Sequence, residues 1–315
     1  MWVIPSALTP WIGLMRRLCG PLKLLIAGTL PIKGLPFFLG SPLFDGRTLT
    51  MEGRSVPCTM GTAVVYSTAL VVMEHMGIRE SPQLMTAGDI GRADGSRLIY
   101  NNLIEEIERL NVDVLVLHYI MPIITLTNRL AQRLKGLSKK PFIIADAGSM
   151  YSLKASGEAS LCDFMTPDPG EMAFLADPEA VHPAYVERHL FEIDTADVLH
   201  LIRQAYLTRN VPRMLVVKGV RDYVVKEGQV LFSIDEPNVP ALEPIGGTGD
   251  TLTGTLAGLV ASGMDPILAA ICATKANRMA GLICKPTPRT LVHDIVNRIP
   301  EALDTITREE GFKAL

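Results

Sequence analysis

The run Ile245-Gly246-Gly247-Thr248-Gly249-Asp250-Thr251-Leu252-Thr253-Gly254 continues without a breaker into Thr255-Leu256-Ala257-Gly258-Leu259-Val260-Ala261-Ser262-Gly263. Gly246, Gly247 and Gly249 permit a tight turn with bare backbone N–H groups, and the small and apolar residues after Asp250 repeat at helical spacing. A glycine turn that opens a helix makes an anion site, because its N–H groups point outward and the helix dipole adds positive partial charge. Asp250 sits awkwardly there, since a carboxylate repels the phosphate beside it. Two roles account for it: an N-cap, or a base acting on something bound in the pocket. The turn is not a P-loop, because no Gly-Lys-Ser/Thr follows.

Outward from this turn, strands and helices alternate. Leu22–Ala27, Val112–Leu117, Phe142–Ala145 and Met214–Lys218 read as buried strands, and 61–77, 96–110, 123–134, 195–208, 265–284 and 289–303 read as helices. The alternation predicts an α/β fold with a mostly parallel sheet and right-handed crossovers. Gly28–Gly46, with three prolines and four glycines, reads as a long loop of the kind that covers substrates. Thr48–Val56 reads as a strand or hairpin arm. Tyr223-Val224-Val225 and Val230-Leu231-Phe232 flank Lys226-Glu227-Gly228-Gln229, a hairpin signal. Glu179–Asp194 reads as an insertion whose histidines lack metal-site spacing.

With 315 residues and 48% hydrophobic content, the chain can bury a sizeable core. A net charge of −3, with acidic and basic residues mixed, speaks against general nucleic-acid binding. The five cysteines are scattered without a Cys-x-x-Cys, which suits a reducing cytoplasm better than a disulfide framework or zinc site. Trp2–Met15 is apolar, but Pro5 and Pro10 break it, it is shorter than the roughly twenty residues of a membrane helix, and Arg16-Arg17 follow it rather than precede it. It therefore reads as an N-terminal extension over about residues 1–20 that docks on the protein, with no membrane contact.

Open α/β sheets bind ligands beyond the carboxyl ends of their strands. That places His118, after Val112–Leu117, and Asp146, after Phe142–Ala145, among substrate-binding candidates, although a structural role suits His118 as well. The glycine-rich stretch Thr86–Gly95 offers Asp89 and Asp94 as substrate or metal contacts, or is a plain surface loop.

Gly247-Thr248-Gly249-Asp250 leading into its Ala/Gly/Leu-rich helix resembles the signature of the ribokinase-like superfamily. Met165-Thr166-Pro167-Asp168-Pro169-Gly170-Glu171-Met172-Ala173-Phe174-Leu175 resembles the Thr-Pro-His-Pro-Gly-Glu segment of its NAD(P)H-hydrate dehydratase branch. Ile143-Ile144-Ala145-Asp146-Ala147 and Val216-Val217-Lys218-Gly219 fall in that branch's order, and the similarity spans roughly residues 110 to 285. The resemblance implies one domain with a three-layer αβα ribokinase-like fold. It implies a phosphate-binding anion hole at Gly247, Thr248 and Gly249, Asp250 as base, Lys218 over nucleotide phosphates, and Asn277 facing the nucleotide or packing between helices. Asp168 and Glu171, three apart at a helix start, can hold a hydrated Mg²⁺, Glu171 through water and Asp168 toward the substrate; a first-turn acid stabilised by the helix dipole is the other reading of Glu171.

The implied activity is repair of hydrated NADH or NADPH, with ATP or ADP phosphorylating a ring hydroxyl before phosphate leaves. A kinase acting on a sugar, vitamin or thiazole hydroxymethyl group, and a nucleotide-binding protein without catalysis, are the alternatives. The implied partners are a nucleotide and a small molecule, and a homo-oligomer is compatible with them. Three positions depart from the branch: His118–Pro122 has no glycine where relatives carry a Gly-rich motif, Gly148 replaces a second carboxylate, and Asp168 replaces histidine.

Overall fold

Neighbouring residues of a strand face opposite sides of a sheet, and here both sides are buried. The computed structural model describes residues 22–180 and 197–309. Its main sheet has nine strands in the order β12-β11-β10-β9-β8-β7-β1-β6-β2. β1 (Leu24–Gly28), β6 (Gln83–Thr86), β7 (Val114–His118), β8 (Phe142–Asp146), β9 (Phe164–Met165) and β10 (Met214–Val217) run parallel. β2 (Phe38–Gly40) is antiparallel at one edge, and the hairpin of β11 (Asp222–Lys226) and β12 (Gln229–Ile234) is antiparallel at the other. Leu24, Ile26, Val114, Val116 and Ile144 enter one core, while Leu25, Ala27, Leu115, Leu117 and Ile143 enter the other. This is why the strands read as continuous apolar runs.

The first core is covered by α1 (Thr62–His75), α7 (Thr248–Ala261), α8 (Pro266–Cys284) and α10 (Ile299–Glu309). The second lies under α2 (Asp94–Leu110), α3 (Ile124–Lys135), α4 (Gly148–Ala155), α5 (Pro169–Ala176) and α6 (Val198–Leu207). The result is the expected αβα layering. α7 and α1 pack unusually closely, because a Cβ on Gly254 would lie 2.6 Å from the Val65 carbonyl oxygen and one on Gly258 2.8 Å from Val72 Cβ. α8 has the length and apolar composition of a membrane span, yet half of that window is buried in the protein, where it packs on α7 and α10.

Two details differ from the sequence reading. Residues 28–46, expected as a covering loop, contribute β2 to the sheet edge, and β3 (Leu43–Phe44) forms a small antiparallel sheet with β4 (Thr48–Met51) and β5 (Arg54–Pro57). The strand pairing satisfies backbone groups that a bare loop would leave to water. The helix expected over 289–303 is two, α9 (Val292–Val296) and α10, because Pro300 fits a first helical turn and not an interior. The N-terminal extension and most of the 179–194 insertion lie outside the described residues.

Candidate active site

β7 and β8 end side by side and β10 ends one strand further on, beyond β9; their last or next residues are His118, Asp146 and Lys218. Parallel pairing sets Gly28 opposite His118 and His118 opposite Asp146. α7 brings its N-terminus over this edge. Gly247, at φ +94°, is its N-cap and provides no side-chain cap. The first intrahelical bond runs from Thr251 N–H to the Gly247 carbonyl at 3.0 Å, so the N–H groups of Thr248, Gly249 and Asp250 lie ahead of it. All three residues line a cavity of about 490 Å³ together with Tyr119, Asp168, Glu171 and Lys218. Val220, Pro237, Val239 and Leu242 add apolar surface to its lining.

The Asp250 carboxylate does not cap its own helix. Oδ2 accepts the Gly61 N–H at 2.6 Å, and Oδ1 lies 3.1 Å from His118 Nε2. The side chain stays about 12% exposed, on the cavity side. Of the two roles open from sequence, the capping one is therefore removed.

His118, expected to touch substrate, does not reach the cavity. It is fully buried behind Asp250, with Nδ1 3.1 Å from Thr62 Oγ1. Asp146 is also buried, at 1% exposure. Lys218 Nζ donates to both its oxygens at 3.0 and 3.2 Å, Thr253 Oγ1 donates at 2.6 Å, and the following N–H, at Ala147, adds a third donor. Burial pushes this carboxyl up, but the charges of Lys218 and His118 outweigh it and hold it below the ordinary range. Burial pushes the Lys218 ammonium down, but the carboxylates of Asp146, Glu171 and Asp250 outweigh it and hold it above its ordinary value. Lys218 Nζ also stands 3.3 Å from where a Gly249 Cβ would be, so the cation flanks the glycine turn. Gly249 leaves it that room.

Asp168 and Glu171 form a reciprocal capping box on α5: Glu171 N–H donates to Asp168 Oδ1 at 2.8 Å, and Asp168 N–H donates to Glu171 Oε2 at 2.9 Å. Each carboxylate keeps one oxygen free of that box. Burial, together with Asp146 and Asp168, pushes Glu171 up to about 8 in spite of Lys218. A carboxyl in this state is one that an added cation would ionise, so the pair fits a hydrated divalent cation at the cavity wall. His118, Asp146 and Asp250 also converge within 4.8 Å, but the Lys218 ammonium already supplies the counter-charge there.

Asn277 reaches the cavity wall with its amide already engaged. Its oxygen accepts from Thr251 Oγ1 at 2.5 Å and its nitrogen donates to the Thr248 carbonyl at 3.1 Å, so it ties α8 to the glycine turn instead of offering itself whole to a nucleotide. Asp89 is a loop organiser, taking N–H groups from Gly91, Arg92, Ala93 and Ser96 together with the Ser96 hydroxyl, and Asp94 opens α2 on the surface. Neither lines the cavity.

Sequence reading missed four participants. Gly61 and Thr62, at the start of α1, are remote in sequence from Asp250 and His118 and carry no motif. Arg278, one residue after Asn277, bonds Asp222 at 2.7 Å and the carbonyls of Gly219, Val220 and Asp235, fixing the cavity's far wall. Tyr119 adopts φ +50°, a conformation costly for a bulky residue, and its ring stands half-exposed over the cavity. The absence of glycine at 118–122 was the available signal for it.

Known proteins similar to this chain give its family and fold. A family model described as NAD(P)H-hydrate dehydratase matches residues 126–301. An uncharacterized protein of Methanocaldococcus jannaschii is 40% identical over 222 residues, covering 70% of this chain and 91% of that protein. A bifunctional NAD(P)H-hydrate repair enzyme of Hyperthermus butylicus is 36% identical over 94 residues, covering 29% of this chain and 17% of that enzyme. The solved structure of phosphofructokinase-2 from Escherichia coli shares the fold, with a TM-score of 0.53 at 15% identity over 90% of this chain and 99% of that one.

Proposed function

The chain belongs to the NAD(P)H-hydrate dehydratase family, within the ribokinase-like fold, and from that premise we propose that it uses ATP or ADP to dehydrate hydrated NADH or NADPH. The observation that carries the reading is the placement of Asp250: a carboxylate lining the cavity, held by Gly61 and His118, beside the N–H groups of a helix start that lie ahead of its first intrahelical bond.

In this reading the terminal phosphate of the nucleotide lies against the N–H groups of Thr248, Gly249 and Asp250, with the Lys218 ammonium at their flank. Asp250 accepts the proton of the substrate hydroxyl as its oxygen bonds to phosphorus and the nucleotide's bridging P–O bond breaks. The C–O bond to the new phosphate then breaks, inorganic phosphate departs, and loss of a ring proton restores the reduced nicotinamide. Glu171 and Asp168 would hold Mg²⁺ through water, and the ion would neutralise phosphate charge. A pocket of about 490 Å³ is within the usual range for a bound small molecule.

One feature favours a second reading, in which the reaction stops at the phosphate ester of a small alcohol. The Tyr119 ring lines the cavity at a place where the family resemblance implies glycine, and it takes up room there that a glycine would leave open. Incubating hydrated NADH with the protein, Mg²⁺ and either nucleotide separates the two. Nucleotide-dependent recovery of reduced-nicotinamide absorbance supports the dehydratase. Its absence, with nucleotide binding intact, supports the kinase.

A further inference from the structure

We infer that His118, braced by Thr62, is a positioning residue that holds the Asp250 carboxylate aimed at the acceptor hydroxyl; this rests on the reading of Asp250 as base. An ionised carboxylate only accepts hydrogen bonds, so the 3.1 Å contact from Asp250 Oδ1 requires a proton on His118 Nε2. The opposite tautomer would set two lone pairs against each other. At the far side of the ring, Nδ1 meets Thr62 Oγ1 at 3.1 Å, and a hydroxyl can donate to a bare nitrogen or accept from a protonated one. Thr62 therefore serves both the neutral Nε2–H ring and the imidazolium.

The contact is built into the fold. A Cβ on Gly28 would come within 2.1 Å of the His118 carbonyl oxygen and 2.5 Å of Thr62 Oγ1, so only glycine lets β1, β7 and α1 approach this closely. Every charged or titratable neighbour of the pair is in place. Asp146 Oδ2 lies 3.8 Å from His118 Nε2, Lys218 is bound to Asp146, and the Tyr119 ring meets His118 edge-on at 4.6 Å. Cys58 lies close enough to Asp250 to feel its charge, while burial pushes the thiol itself up to about 11. With Gly61 on Oδ2 and His118 on Oδ1, the carboxylate cannot turn away from the cavity.

The test uses His118→Gln, His118→Leu and Asp250→Asn in the full chain, with hydrated NADH and nucleotide. Glutamine carries a non-titrating N–H donor near the Nε2 position, and leucine carries none. His118→Leu should lower kcat on the order of 100-fold with KM for both substrates little changed. His118→Gln should remain within about tenfold of the parent. A readout independent of turnover is nitrogen NMR of the parent, with the His118 signals assigned by their loss in His118→Gln. A proton on Nε2, in the neutral ring or the imidazolium, supports the inference, and a neutral Nδ1–H ring overturns it, whether or not the leucine variant folds. An unchanged kcat in a folded His118→Leu also overturns it. If Asp250→Asn keeps normal turnover, the base assignment itself falls, which is a separate result from either.

Discussion

Lys218→Met keeps the length of the side chain and removes its ammonium from Asp146, a carboxylate 1% exposed and 3.0 Å away. At an effective dielectric near 20, a pair this close is worth about 5 kcal/mol, and breaking a buried pair typically costs about 3–5 kcal/mol. The Thr253 hydroxyl and His118 remain near Asp146, and the carboxyl can take up a proton, so we expect about 3 kcal/mol at neutral pH. For a chain of this size that corresponds to a fall in Tm of about 6 °C. The pH dependence is more diagnostic. In the parent protein Asp146 is held below its ordinary value, so its contribution is present at neutral pH and is lost only as pH falls through that lowered value. In the variant, burial dominates and the carboxyl rises above its unfolded value, so the penalty is largest at neutral pH and shrinks on acidification. Thermal melts of both proteins at about pH 7.5 and about pH 5 should show the gap narrowing at the lower pH. A gap below about 1 kcal/mol at pH 7.5, or an equal gap at both, refutes the description of Asp146–Lys218 as a buried pair.

Asp250→Asn should reduce turnover by about three orders of magnitude while nucleotide binding, followed by calorimetry, stays within a few-fold. Glu171→Gln retains a capping-box side chain but removes a charge whose carboxyl sits near 8. The parent's preference for a protonated Glu171 stabilises it at low pH and is lost as pH rises through 8, so the variant should melt higher than the parent above that pH in the absence of Mg²⁺. In the parent, the Mg²⁺ concentration for half-maximal turnover should drop as pH is raised toward 9, since proton and cation compete, and the variant should lose that trend. Gly254→Ala places a methyl 2.6 Å from the Val65 carbonyl oxygen and should cost about 1–3 kcal/mol by urea unfolding, through separation of α1 from α7.

The sheet and its helices were legible because each central strand is buried on both faces and so forms a short, unbroken apolar run, as in Val114–Leu117 and Met214–Val217. The glycine turn was legible because Gly247 needs a positive φ and Gly249 leaves room for Lys218. β2 was not, since three residues among prolines carry no periodicity and their pairing depends on β6 being an open edge. Asp168 and Glu171 could be read as a pair from spacing, but not that they cap one another. His118 was found by its place at a strand end. Its contact with Asp250, 132 residues away, comes only from the packing of α7 over β7. The roles of Thr62 and Gly61 depend on the same packing, which no local pattern encodes.

The central claim is that the substrate hydroxyl is phosphorylated and then expelled as phosphate. It is tested most directly by labelling that hydroxyl of hydrated NADH with heavy oxygen and running a single turnover with ATP or ADP. The label should appear in inorganic phosphate, formed with the reduced nicotinamide and absent with Asp250→Asn. Label released into water alongside dehydration would contradict it, and label retained in a stable phosphate ester would establish the kinase instead.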